Sequence, residues 1–346
     1  MFSVNSAWRR TQKRKSNQIF KTYKRMEFGK LTNISTVNFT LPTDHPETAR
    51  VLRGAIPRVG LPRVYVGCTG WAMKDWCGWV YPKACKSTDY LRYYGQQFNT
   101  IELNTTHYRT PSFADIEKWR DQTPADFRFA PKMLQTVSHS KDLGYGTGLT
   151  GQFCEAILGL EDKLGVCFMQ LPEYFNASNL PVFEKYLSKL NKSVPFSVEL
   201  RGIEWFSINK KNEKETPSLL RTSQGQWVDF FKILEENNVS TVITDVSGRR
   251  DVLHQRLTTP MAIVRFIGVD DDTIDFPRLD EWVERLKTWF DMGLHEVYFF
   301  THSPDNLKSP YSAKYFQERI EASFPVILRG PRFLDEIKIG SQISLF

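Results

Sequence analysis

The sequence predicts an α/β fold of the (β/α)8, or TIM, barrel type: a single domain with an irregular N-terminal extension. Three observations carry this. From residue 63 on, short apolar runs of strand character alternate with amphipathic helical stretches until eight strands are counted over about 260 residues, as in such a barrel. Each run ends in polar residues, which is where α/β proteins build their sites. No GxGxxG follows the first strand, which disfavours the alternative of a doubly wound, dinucleotide-binding sheet.

Residues 1–25 form a basic leader and 26–62 a lead-in broken by Pro42, Pro46, Pro57 and Pro62. The barrel is expected over 63–324. Val64–Cys68 (VYVGC) is the first strand, followed by a Gly/Trp-rich loop and a helix at 87–98 with a Leu91, Tyr94, Phe98 stripe. Thr100–Asn104 (TIELN) is the second. A polar, ring-bearing run through Arg109 follows it, and Ser112 with Asp115 forms a capping box for a helix to Asp121. Phe127–Lys132, Lys163–Leu171 and Phe196–Arg201 are strands three to five. Helices are expected at 150–160, capped by Thr150, at 180–190 with Pro181 in the first turn, and at 226–237 with a Trp227, Phe230, Phe231, Leu234 stripe. Ser240–Asp245, Ala262–Gly268 and Glu296–His302 complete the strands. A helix at 278–291 ends at Gly293, a last helix spans 311–323, and 325–346 is a closing tail.

The net charge of +7 is concentrated in one place. Residues 1–25 hold eight of the 46 basic residues and no acid, leaving 38 basic against 39 acidic residues in the body. The body therefore carries no electrostatic footprint for nucleic acid. The leader reads as a disordered basic tail, with nucleic-acid binding or organelle targeting as the alternatives, and Met26 as an alternative start. No apolar run approaches the ~20 residues of a membrane span. The five cysteines form no CxxC pair, so they read as reduced thiols of a cytoplasmic protein and not as a zinc site. Cys68, at the end of strand one, reads as a buried inert thiol.

The polar residues at the strand ends are Trp71 after strand one, Glu102 and Asn104 on two, Lys132 on three, Gln170 on four, Glu199 and Arg201 on five, Asp245 on six, Arg265 on seven and His302 on eight. Buried charges cost several kcal/mol unless paired, so their place in apolar strands needs a pairing or a function.

The segments GCTGW (67–71), VYP (80–82), YLRYYGQQFNTIELNTTHYRTP (90–111), FRFAPK (127–132), SH (138–139), LGVCFMQLP (164–172), VELRGIEWF (198–206), TDVSG (244–248) and VRFIG (264–268) occur in order over 63–323. This series resembles that of the domain-of-unknown-function 72, or YecE-like, family. The resemblance implies a TIM barrel with an open cleft at the strand C-termini, and no particular reaction. The chain departs from the common pattern at Thr69, at His107 where many members have Phe, at Gly202-Ile203-Glu204-Trp205, and at Thr301-His302-Ser303.

The leading expectation is an enzyme acting by general acid/base chemistry on a small anionic or sugar-like substrate, with no cofactor. Glu102 and Glu199 are acid and base, or else structural ion pairs with Arg128 or Lys132 and with Arg201. Lys132 is a third catalytic candidate, as a clamp or an imine-forming amine. Arg201 and Arg265 suit an anion through fork geometry. Asn104, Tyr108, Gln170, Asp245, His302 and Trp71 position the substrate. The familiar glycosidase carboxylates after strands four and seven are replaced by Gln170 and Arg265. Two other readings are kept. One is a metal-dependent barrel acting on a nucleotide or nucleic-acid sugar-phosphate, with a single divalent ion on Glu102, Glu199, Asp245 and a histidine. The other is a non-catalytic binding barrel.

Overall fold

Eight parallel strands close into a ring: β1 (Arg63–Gly67), β2 (Thr100–Leu103), β3 (Arg128–Pro131), β4 (Cys167–Gln170), β5 (Phe196–Glu199), β8 (Ser240–Asp245), β9 (Met261–Ile267) and β10 (Glu296–His302). The computed structural model describes residues 29, 31, 33–206, 219–221 and 227–334. Six strands form one continuous ladder in the order β1-β10-β9-β8-β5-β4. The pair β2-β3 completes the circle. Glu102 N–H donates to the Cys68 carbonyl (3.0 Å) on one side, and Met133 N–H donates to the Phe168 carbonyl (2.8 Å) on the other. At the first seam Gly67 has no substitute, since a Cβ there would lie 2.1 Å from the Thr100 carbonyl oxygen.

Alternation along the strands sorts the side chains. Tyr65, Ala130, Val166, Phe168, Val242, Ile263, Tyr298 and Phe300 pack together inside the barrel. Their neighbours, such as Ile101, Phe129, Ile243, Val264 and Phe299, face the helices instead. The interior is thus plugged by apolar side chains at mid-height, and inward residues one step further along each strand sit on this plug at the C-terminal face.

The helices follow the expected stripes with shifted ends. The Ser112–Asp115 capping box is formed as expected and starts the helix Phe113–Asp121. The helix Asp272–Met292 begins six residues before the expected start. Asp271 caps it through Thr273 N–H (3.0 Å), and Pro277 sits in its second turn at the loss of one backbone bond. The helix Leu149–Leu158 is entered through Gly148 in the left-handed region, so Thr150 is not its cap. Trp227 does not belong to a helix. Trp227–Asp229 (β7) pairs antiparallel with Leu219–Arg221 (β6), and the helix runs from Phe230 to Glu236. No α-helix follows β8, only a turn at Arg250–Val252.

The lead-in is not wholly irregular. Pro46–Gly54 is a helix with proline in its first turn and the His45 ring accepting from Glu47 N–H. Nearby, Leu41 N–H donates to Glu281 (2.8 Å) and Arg285 donates to the Pro42 carbonyl (2.9 Å), which ties the lead-in to the helix Asp272–Met292. The basic leader lies outside the described residues. Among the described residues, no helix is long and apolar enough to cross a membrane.

Candidate active site at the C-terminal mouth

Seven of the eight strands place a polar side chain above the plug: Glu102, Lys132, Gln170, Glu199, Thr244, Arg265 and His302, all buried or nearly so. The eighth strand, β1, supplies Gly67. Six of the seven are interlocked by hydrogen bonds, with Asn104 and Arg201 at the edge.

Arg265 is the hub. Its Nε and Nη2 donate to the two oxygens of Glu102 (2.8 and 3.0 Å), and its Nη1 donates to Glu199 (2.8 Å). Glu102 also accepts from Asn104 (2.8 Å) and His302 Nε2 (3.0 Å). Glu199 accepts from Arg201 Nε and from the Gln170 amide, both at 2.8 Å. Gln170 in turn accepts from Lys132 Nζ (2.9 Å).

Electrostatics follow from this wiring. Burial alone would raise the Glu102 pKa, but the charges and hydrogen bonds of Arg265 and His302 together outweigh it and hold the carboxyl well below the usual range. At Glu199 burial is likewise outweighed, by Arg265, then Arg201 and Lys132, and the pKa falls to about 2. Both carboxylates are ionised, Glu102 with four donors and Glu199 with three. Lys132 is different: burial, then Arg265, depress it to about 8 against the pull of Glu199 and Glu102, and its one hydrogen-bond partner is a neutral amide. Three cations thus face two carboxylates in this layer.

The expected residues divide accordingly. Glu102, Asn104, Lys132, Gln170, Glu199, Arg201, Arg265 and His302 come together. Asp245 does not. As the outward neighbour of Thr244 on β8, it points into the strand–helix layer, where Arg278 (2.9 Å), Trp282 Nε1 (2.9 Å) and Arg250 donate to it. It is a buried structural anion, fully covered. This also removes Asp245 from the expected metal ligands, and Arg265 stands between the other two. Among the described residues, no group of three or more His, Cys, Asp or Glu side chains converges as a metal would require. Trp71 meets Trp119 edge-on (6.1 Å between ring centroids), away from the network. Tyr108 is 76% exposed beside the His107 ring. Cys68 is buried against Thr301, and burial pushes its thiol up to about 12.

Thr244, not the expected Asp245, is the inward residue at this end of β8, and the period of two in STVITD carries the signal. With Val242 inside, 244 is inward and 245 outward. Its hydroxyl is buried without a hydrogen-bond partner, on the strand position paired with Arg265. His107 and His139 border the same mouth. Their rings lie 5.6 Å apart, and burial first, then Lys132 and Arg201, disfavour the charged form of both.

Comparison with known proteins places this barrel. The UPF0759 protein YecE of Escherichia coli O157:H7 is 27% identical over 286 residues, covering 82% of this chain and 100% of its own. The UPF0759 protein YunF of Bacillus subtilis strain 168 is 26% identical over 151 residues, 42% of this chain and 52% of its own. A DUF72 family protein of Enterococcus faecalis V583 has a similar solved structure, with a TM-score of 0.56 at 18% identity over 75% of this chain and 98% of that one. The corresponding protein of Thermotoga maritima MSB8 has a TM-score of 0.53 at 24% identity, over 75% and 99%. The profile described as "Protein of unknown function DUF72" matches residues 65–332, from within β1 through the last strand and the helix after it, and the chain therefore belongs to the DUF72 family.

Proposed function

We propose that the mouth is an active site that holds a small anionic substrate beside Lys132 and Arg201 and moves a proton through Lys132. One observation carries this reading. Lys132 is a nine-tenths buried ammonium that touches no carboxylate and has a pKa of about 8. Both of its protonation states are therefore present near neutral pH, the condition for a general acid/base. Its two remaining N–H groups are available to an incoming anion.

The reading changes the roles of the acids. A carboxylate held ionised by three or four donors is a poor proton donor, and its lone pairs are already engaged. Glu102 and Glu199 serve in this account as the cradle that fixes Arg265, Arg201 and, through Gln170, Lys132. Positioned cations of this kind stabilise negative charge that develops on a substrate in a water-poor site.

The test is to incubate the protein with pools of phosphorylated and carboxylated metabolites and to follow their composition by mass spectrometry. The expected result is that one anionic compound is consumed by the wild type and spared by Lys132→Met. Wild-type-like turnover by that variant would remove Lys132 from the chemistry. Binding of an anion with no turnover of any pool member would make the barrel a binding protein and overturn the enzymatic reading.

A further inference from the structure

His107 stands at the same mouth and has no part in the network of Arg265. Its Nδ1 lies 2.7 Å from the Met133 carbonyl. A carbonyl only accepts, so Nδ1 carries the proton and Nε2 carries the lone pair. Nε2 has no hydrogen-bond partner among the described residues. The backbone sets this ring next to Lys132: Met133 follows Lys132, and Thr106 Oγ1 donates to the Lys132 carbonyl at 2.8 Å. The His139 ring flanks it at 5.6 Å, and the largely exposed Tyr108 ring at 5.4 Å. A buried neutral imidazole with a fixed tautomer and an unused lone pair, beside a cationic layer, is arranged to receive a proton.

We propose that His107 is the proton-accepting residue of this mouth, serving an anion held between Lys132 and Arg201. The inference rests on the anion-binding reading above and narrows the substrate to a small anion with a removable proton, on a hydroxyl or on a carbon next to a carbonyl. The proton passes to Nε2. From a hydroxyl the electron pair stays on that oxygen; from a carbon the C–H pair forms the enolate double bond and the carbonyl pair moves onto oxygen. In both cases the Lys132 ammonium faces the resulting oxyanion, and no co-reactant is needed. The anion itself completes the device. Burial, then Lys132, with further contributions from His139 and Arg201, hold the His107 pKa down to about 4. An anion between the two cations offsets their charge, so the imidazole becomes more basic only when the site is filled.

The experiment is an NMR titration of the full-length protein labelled in its histidines and lysines, with inorganic phosphate as the probe. The expected result is an Nδ1–H tautomer at His107 and a midpoint well below that of a free histidine. Saturating phosphate should raise that midpoint by about one unit or more, and Lys132→Met should abolish the rise. His107→Asn, whose amide keeps a donor for the Met133 carbonyl, should still bind phosphate. If phosphate shifts the Lys132 signals while His107 is unmoved or carries its proton on Nε2, this proposal is overturned and the anion site stands. If neither residue responds, the anion-binding reading fails and this one with it.

Discussion

Glu199→Gln removes one charge from the centre of the network and leaves three donors, from Gln170, Arg201 and Arg265, facing an amide that offers a single acceptor oxygen. The magnitude follows from the carboxyl's own ionisation, which moves from 4.5 in a free side chain to about 2 here. At 1.36 kcal/mol per pKa unit, that shift corresponds to about 3 kcal/mol of stability at pH 7. The sign sets the pH window. The folded pKa lies below the unfolded one, so the contribution is complete above the unfolded value. It is lost as pH falls through the folded value, reaching roughly half by pH 3. Urea unfolding of wild type and variant at pH 7 and pH 3 reads both numbers. The account expects the variant to be about 3 kcal/mol less stable at pH 7 and the gap to halve at pH 3. A difference under about 1 kcal/mol, equal at both pH values, would mean that Glu199 is an ordinary exposed-type pair and would refute the wiring.

Lys132→Met should do the reverse to stability while ending anion binding. Relieving a buried ammonium of depressed pKa gains up to about 3 kcal/mol, offset by about 1 kcal/mol for the lost bond to Gln170; a variant clearly less stable than wild type would contradict this. Asp245→Asn should cost about 3 kcal/mol in thermal or urea unfolding, because Arg278 and Arg250 both lose a buried carboxylate in the strand–helix layer and Arg278 keeps only Asp275. Phosphate binding by the folded fraction should be unchanged, and a binding defect would return Asp245 to the mouth. Gly67→Ala should sharply lower folded yield, since its Cβ meets the Thr100 backbone at 2.1 Å and the β1–β2 seam must open. A normal melting temperature for that variant would argue against the seam.

How far the sequence reached depends on the range of the forces involved. Strand positions were legible because an apolar run between turn residues is a local signal, and Ser240–Asp245 and Glu296–His302 fall where the alternation puts them. The helix Pro46–Gly54 is masked in the sequence by Pro46, which signals a break but here occupies the first turn that tolerates it. The false helical start at Trp227 came from an i, i+3, i+4 spacing that the short hairpin with Leu219–Arg221 overrides.

The site shows the same limit. That Glu102 and Glu199 share the mouth was readable from their strands, but what neutralises them was not. Arg265, which grips Glu102, lies 163 residues away along the chain. The Glu199–Arg201 pairing, two residues apart on one strand face, was within reach of sequence and is formed. Asp245 is the last polar residue of its strand, but the alternation down from Val242 puts it on the outward face.

The central claim is a cationic mouth whose Lys132 exchanges its proton as an anion enters. Calorimetric titration with inorganic phosphate at pH 8, in buffers of different ionisation enthalpy, tests it most directly. The account predicts saturable binding with uptake of about half a proton, since a lysine of pKa about 8 is half protonated before binding and fully protonated after. Both the binding and the uptake should vanish in Lys132→Met. Absence of binding, or binding without proton uptake that survives the substitution, would contradict the account.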